Sequence, residues 1–316
     1  MKILFNSAIL KHNVNSDIEG PYRISKFAQM LRETQPKTDG EELLQLTHTK
    51  SYIDKIRKAC TSGGHLAEVD LTADTFKAAC VSVDLSVQAA TNGDFAITRP
   101  PGHHASSSNE MGFCLFNNIA IATKYLLDQG KKVLIIDIDG HHGNGTQEII
   151  LKSKNILYFS IHQENTFPYT ANEPNILTNG GEIRAINMTT SEGSGDDVLL
   201  EAIKFAISTK ELFNFDVIGV SAGFDGYHSD RLLNLNYTEI GYYNIGKMLH
   251  DMKVDVFAVL EGGYHNHIPD CIESFIAGIE GRASSIDLKP SISNEKTKKQ
   301  FNSSLERIKE LYMKFQ

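Results

Sequence analysis

The sequence holds no tryptophan, only four cysteines and no surplus of basic residues. The missing tryptophan carries no functional meaning. The cysteines, Cys60, Cys80, Cys114 and Cys271, include no C-x-x-C pair. That excludes a zinc knuckle and argues against a disulfide framework, leaving reduced thiols in a cytoplasmic protein. No apolar stretch approaches the length that spans a bilayer, so no membrane partner is expected. The N-terminal MKILFNSAILKHN is not read as a signal peptide, because Asn6 and Ser7 break its apolar run and Lys11 and His12 follow soon after. Lysine and arginine together number 31 against 39 acids, a net charge of −8. That balance excludes the concentrated basic face that a nucleic-acid backbone demands. It suits a cationic substrate only weakly; charge kept for solubility is the simpler account.

At 41% hydrophobic over 316 residues, the chain can bury a large core. Short apolar, β-branched runs read as buried strands: Ile3–Phe5, Asp94–Ile97, Lys132–Ile138, Ile156–Ile161, Glu182–Asn187, Val217–Ser221 and Val256–Leu260. Helical patterns lie between many of them, at Thr75–Ala90, Asn118–Gln129, Asp196–Phe213 and Thr238–Met252. Strand alternating with helix predicts an α/β single domain: a central, mostly parallel sheet of about eight strands with helices on both faces. The body runs over residues 1–282. Residues 283–316 read as a linker, serine-rich over Ala283–Glu295, and a final helix at about Lys296–Phe315. In such sheets ligands gather beyond the carboxyl ends of the strands.

Four motifs stand at those ends. The first is Asp137-Ile138-Asp139-Gly140-His141-His142-Gly143-Asn144-Gly145, closing the apolar run Val133–Ile136. Residues two apart in extended chain face one side, so Asp139 and His141 can point at one ion. A carboxylate oxygen and an imidazole nitrogen suit zinc, and also iron, cobalt or manganese. The second is Arg99-Pro100-Pro101-Gly102-His103-His104, whose paired imidazoles suit metal ligation or proton transfer. The third, Ser221-Ala222-Gly223-Phe224-Asp225, supplies a third ligand in Asp225 and leaves a position open for water. Taken alone, an aspartate after a strand is more often a helix N-cap. The fourth, Leu260-Glu261-Gly262-Gly263-Tyr264, offers a phenol that can donate to an oxygen becoming anionic.

In this order, RPPGHH, DIDGHHGNGTQ, SAGFD and LEGGY, with GFCLFNN in support, resemble the histone deacetylase family of the arginase/deacetylase fold. The likeness runs from about Arg23 to Arg282, and makes residues 1–282 a deacetylase catalytic domain. Asn144 and Glu261 resemble the class II branch. The resemblance implies zinc, with iron as the alternative, on Asp139, His141 and Asp225. It implies a structural potassium ion on Asp137, Ser160 and Ile161, together with the Asp139 and His141 carbonyls. It makes His103 and His104 the active-site pair, with Asp137 behind His103 and Asn144 behind His104. Tyr264 would polarise the acyl carbonyl, Phe113 and Phe167 would wall a tunnel, and Gly112 would let the substrate approach closely. Arg23 matches an arginine at the pocket foot. The Ile18–Arg23 run departs from the family's His-Pro-Glu-Arg, which puts the early loop in question.

The implied reaction is deacetylation of Nε-acetyl-lysine in proteins or peptides, with acetylpolyamine or longer-acyl-lysine substrates as the alternative. Leu232, where polyamine-preferring relatives carry an acid, favours the first. Asp70, or Glu68, is the candidate rim acid, and Asp230 is a further acid near the mouth. A metal-containing binding protein without turnover is the second class of reading; zinc-loaded protein inert to a broad acyl panel would favour it. Ureohydrolase chemistry is a third, and would need two manganese ions per chain. Oligomeric state is not legible in the sequence.

Overall fold

The computed structural model describes residues 1–14, 16–284 and 289–315. Among them are ten strands: β1 Ile3–Leu4, β2 His65–Leu66, β3 Val69–Asp70, β4 Phe95–Ala96, β5 Val133–Asp137, β6 Ile156–Gln163, β7 Asn175–Asn179, β8 Glu182–Thr190, β9 Val217–Ala222 and β10 Asp255–Leu260. Eight form one sheet in the order β1-β4-β10-β9-β5-β6-β8-β7. Every pairing in it is parallel except β7 with β8. β2 and β3 make a separate antiparallel hairpin.

The central strands are apolar at both alternating positions, and β5 and β9 are buried at every residue. A pleat buried on both faces needs a covering layer on each. Helices Thr75–Asn92, Asn118–Asp128, Asp196–Ser208, Glu239–Asp251 and Ile268–Ile279 supply those layers. The last two pack closely on each other: a Cβ on Gly246 would meet the Phe275 carbonyl oxygen at 2.2 Å.

The terminal helix, Glu295–Tyr312, begins one residue earlier than its sequence pattern indicates. Its buried stripe, Phe301, Leu305, Ile308 and Tyr312, lies against β7, β8 and the Asp196–Ser208 helix. Of the serine-rich stretch before it, residues 285–288 lie outside the described residues. Ser291 and Ser293 are tied down: each hydroxyl and backbone N–H meets the Gly195–Asp197 turn or its neighbour Asn236.

This topology decides where the chemistry goes. The strands that carry the four motifs, β4, β10, β9 and β5, are consecutive neighbours in the sheet. In register, Asp137 pairs with Ser221, and Ser221 with Val259. All four loops therefore leave one edge side by side.

Candidate active site

The first thing that edge builds is a cluster of acids out of contact with water. Asp137, Asp139, Asp225 and Glu261 are each 0% exposed. Asp139, His141 and Asp225 offer ligand atoms within 4.8 Å of one another. His141 Nδ1 stands 2.6 Å from Asp225 Oδ2 and 3.3 Å from Asp139 Oδ1. Backbone N–H groups hold both acids: Gly262 donates to Asp139 Oδ2 at 2.8 Å and Gly140 to Asp225 Oδ1 at 2.6 Å. Asp225 is thus no helix cap.

Gly223 explains the close approach of the strands. A Cβ there would sit 1.9 Å from Asp139 Oδ2. Only a residue without a side chain lets Asp139 reach the ligand position.

Charge in this cluster is balanced by imidazoles. Burial opposes a charge on His141, yet the Asp225 and Asp139 carboxylates outweigh it and lift its pKa to about 10. Burial, then the charge of Asp139, pushes Asp225 up to about 7. For Asp139, burial is outweighed by His103 and His141, which hold it well below the usual carboxylate range. Two carboxylates and one imidazole, buried and preset by the backbone, suit a divalent ion, whose charge would take the place of the His141 proton.

Above the cluster lie the paired histidines, ring centroids 4.0 Å apart. They are set in opposite states. His103 Nδ1 is 3.2 Å from Asp137 Oδ2, which also accepts from the Tyr158 hydroxyl at 2.8 Å. Burial works against its charge, but Asp139 and Asp137 raise its pKa to about 10. His104 is pushed well below 6.5 by burial and then by the charges on His103 and His141. Its Nδ1 lies 2.8 Å from Asn144 Oδ1, whose amide nitrogen turns to the Met111 sulfur. With Nδ1–H donating to that oxygen, Nε2 carries the free lone pair.

Tyr264 closes the far side. Burial above all keeps its phenol protonated, with a pKa well above 10. Arg23 stacks over its ring at 4.8 Å and donates to the Gly263 and Glu261 carbonyls at 2.6 and 2.7 Å. Glu19 holds Arg23 at 3.2 Å and Arg99 through both carboxylate oxygens, at 2.6 and 2.8 Å. The departing early loop therefore still anchors Arg23 beneath the tyrosine.

A cleft of about 260 Å³ leads down to these groups, lined by His104, His141, Gly112, Phe113, Phe167, Leu232 and Tyr264. Gly112 (φ +54°) has no room for a side chain: a Cβ would meet His104 Cδ2 at 2.5 Å and Phe167 Cε1 at 2.8 Å. The structure does not bring Asp70 to this lining. It faces His65 across the β2–β3 hairpin at 2.8 Å, while Glu68 lines the mouth and accepts the Gly112 N–H at 2.8 Å. Asp230 also stays out of the lining; it accepts the Tyr264 and Leu232 N–H groups at 2.7 and 2.8 Å. Ser160 stands opposite Asp137 across the β5–β6 ladder, beside Ile161, with its hydroxyl 2.8 Å from His162.

Two supporting roles were not assigned by sequence reasoning, those of Glu261 and Tyr158. Glu261 Oε2 accepts the Gly102 and His103 N–H groups at 2.7 and 3.1 Å, fixing the histidine loop. Its place at the end of β10 was signal enough. Tyr158 lies two residues before Ser160 on β6, and that spacing alone puts it on the Asp137 side.

Fold and site together define a single α/β domain with an open, acid-rich pocket whose side chains could hold a metal ion. A family model described as the histone deacetylase domain matches residues 15–279. Histone deacetylase 15 of Arabidopsis thaliana is 36% identical over 242 residues, which cover 70% of this chain and 43% of that one. The chain thus spans under half the length of that relative. The crystal structure of the HDA15 HD domain matches at TM-score 0.86 and 27% identity, covering 99% of this chain and 95% of that one. An acetylpolyamine aminohydrolase from Burkholderia pseudomallei matches in fold at TM-score 0.79 and 24% identity, covering 90% of this chain and 100% of that one. The chain belongs to the histone deacetylase family.

Proposed function

We propose that the protein is a zinc-dependent amidohydrolase that removes an acetyl group from Nε-acetyl-lysine in proteins or peptides. The observation that carries this reading is a single floor. There the Asp139–His141–Asp225 cluster, a neutral His104 and the Tyr264 phenol meet beneath a narrow apolar cleft. Asp139, His141 and Asp225 would hold the ion. When bound, it supplies a Lewis acid and lowers the pKa of a water at its open position.

The chain's own residues do the rest. Phe113 and Phe167 exclude water and align the acyl-lysine stem. Tyr264 donates to the acyl oxygen and more strongly as that oxygen becomes anionic. His104 Nε2 takes the proton from the attacking water, and the new C–O bond forms as the carbonyl opens. His104 then returns the proton to the amine nitrogen as the C–N bond breaks. His103, held as a cation by Asp139 and Asp137, supplies a positive charge beside His104.

Asp137, Ser160 and Ile161, with the Asp139 and His141 carbonyls, would hold a structural potassium ion. Residues 1–282 form the catalytic body in this reading, and 283–316 its linker and helix. Reduced thiols fit a cytoplasmic location: all four cysteines are free and buried. Among the described residues no helix is long and apolar enough to cross a membrane.

Leu232 at the cleft mouth favours acyl-lysine over an acetylpolyamine, because Glu68, the acid lining that mouth, is already engaged by the Gly112 N–H. A rate panel of acetyl-lysine peptides, longer acyl-lysine peptides and acetylpolyamines tests this. The highest kcat/KM is expected on acetyl-lysine peptides; a clear preference for acetylpolyamines or for longer acyl chains overturns the substrate assignment.

A further inference from the structure

A second cluster of metal-ligating side chains lies outside the cleft, on the far side of the loop that carries Asp225. Glu239 opens the helix Glu239–Asp251, and its side chain is buried, with 8% of its surface exposed. One carboxylate oxygen accepts the Tyr227 hydroxyl at 2.7 Å. The other, Oε2, is buried and has no hydrogen-bond partner. Buried carboxylate oxygens are almost always satisfied, so this one asks for a ligand. Facing it are His267 and Asp270, in contact at 3.1 Å. The three residues offer ligand atoms within 4.8 Å of one another.

The sequence builds this on purpose-made geometry. His267 is the N-cap of the helix Ile268–Ile279, and Asp270 lies three residues on, in its first turn. Positions three apart on a helix are neighbours, so the imidazole and carboxylate share one face. Helix–helix packing then brings Glu239 to that face. An open cavity of about 630 Å³ reaches Glu239 and Asp270; in its lining Glu280 pairs with the Met1 amine and Arg282, which leaves Glu239, Asp270 and Glu273 to face a cation.

We infer that Glu239, His267 and Asp270 form a second divalent-cation site, separate from the catalytic cluster. One imidazole with two carboxylates selects a borderline ion such as zinc over magnesium or calcium, which take oxygen ligands. Two of the ligands are half-exposed, with side chains 51% and 59% accessible, so water completes the shell and exchange with solvent is open. The site touches the active-site loops at one remove. Tyr227, which grips Glu239, follows Asp225 by two residues, and its ring stacks on His265, the neighbour of Tyr264, at 4.6 Å. An ion here ties those two loops to one point.

Zinc titration of chelator-stripped protein against a chromophoric competitor tests it, comparing wild type with His267→Ala and Asp270→Asn. Both changed residues are at the surface, so folding is not at stake; Glu239→Gln is the buried third arm. The expected result is one zinc equivalent fewer in each surface variant, or uptake of that equivalent weakened by at least about tenfold. The readout is a difference between proteins, so it stands whether or not the catalytic cluster also takes zinc. An undiminished count at undiminished affinity in either surface variant overturns the site.

Discussion

In the proposed reaction, Tyr264 and the His103–His104 pair are where single atoms decide the chemistry. Losing one oxyanion donor typically lowers a rate about 10²–10³-fold. Tyr264→Phe is therefore expected to lose at least that much kcat, with its fold intact by circular dichroism. A near wild-type rate on the best substrate would remove Tyr264 from the mechanism. His104 acts as a base only when neutral. Burial and the charges on His103 and His141 hold its pKa well below 6.5, so activity is expected to persist as pH falls through that value. Asn144→Asp places a carboxylate on Nδ1–H, stabilises the imidazolium and raises the pKa. The acidic limb of kcat/KM should then move to higher pH; an unmoved limb, or one moved lower, contradicts the assignment of His104.

At the scale of elements, the site depends on strands approaching closely at their ends. Gly223, two residues before Asp225, shows this best. Gly223→Ala forces a Cβ to 1.9 Å from Asp139 Oδ2, and metal affinity is expected to drop by at least about tenfold. Equal metal content after dialysis in mutant and wild type would show that the strand ends can shift apart. The same ends were the legible part of the sequence. Val133–Ile136 and Val217–Val220 are apolar without interruption, as strands covered on both faces must be. The polar residues following them could then be assigned to one edge.

Less was legible elsewhere, for physical reasons. The edge strand Asn175–Asn179 is only half-buried, so its short run lacks a continuous apolar signal. The helix Asn144–Ile150 starts inside the metal motif, where Gly143 and Gly145 mask its pattern. The family resemblance offers Asp70, or Glu68, as the rim acid, without deciding between them. Ala67 and Glu68, both at positive φ, turn the hairpin so that Glu68 faces the cleft. A turn of that kind, built without glycine, leaves little trace in a sequence.

At the scale of the whole molecule, the terminal helix closes the sheet edge that the active site does not use. Phe301, on its buried face, is 2% exposed. Phe301→Ala is expected to cost about 3–5 kcal/mol of stability by urea denaturation. The catalytic rate should stay unchanged, because the helix lies across β7 and β8 and away from the cleft. A large loss of kcat with stability retained would instead make the helix part of the site. The central claim, that the four strand-end motifs form one metal-dependent deacylase, is tested most directly by acetate release from an acetyl-lysine peptide. The comparison is between chelator-stripped and zinc-reloaded protein. The account predicts negligible release after stripping and recovery on adding zinc, with no recovery in Asp225→Ala. Release that survives stripping, or recovery in Asp225→Ala equal to wild type, would contradict it.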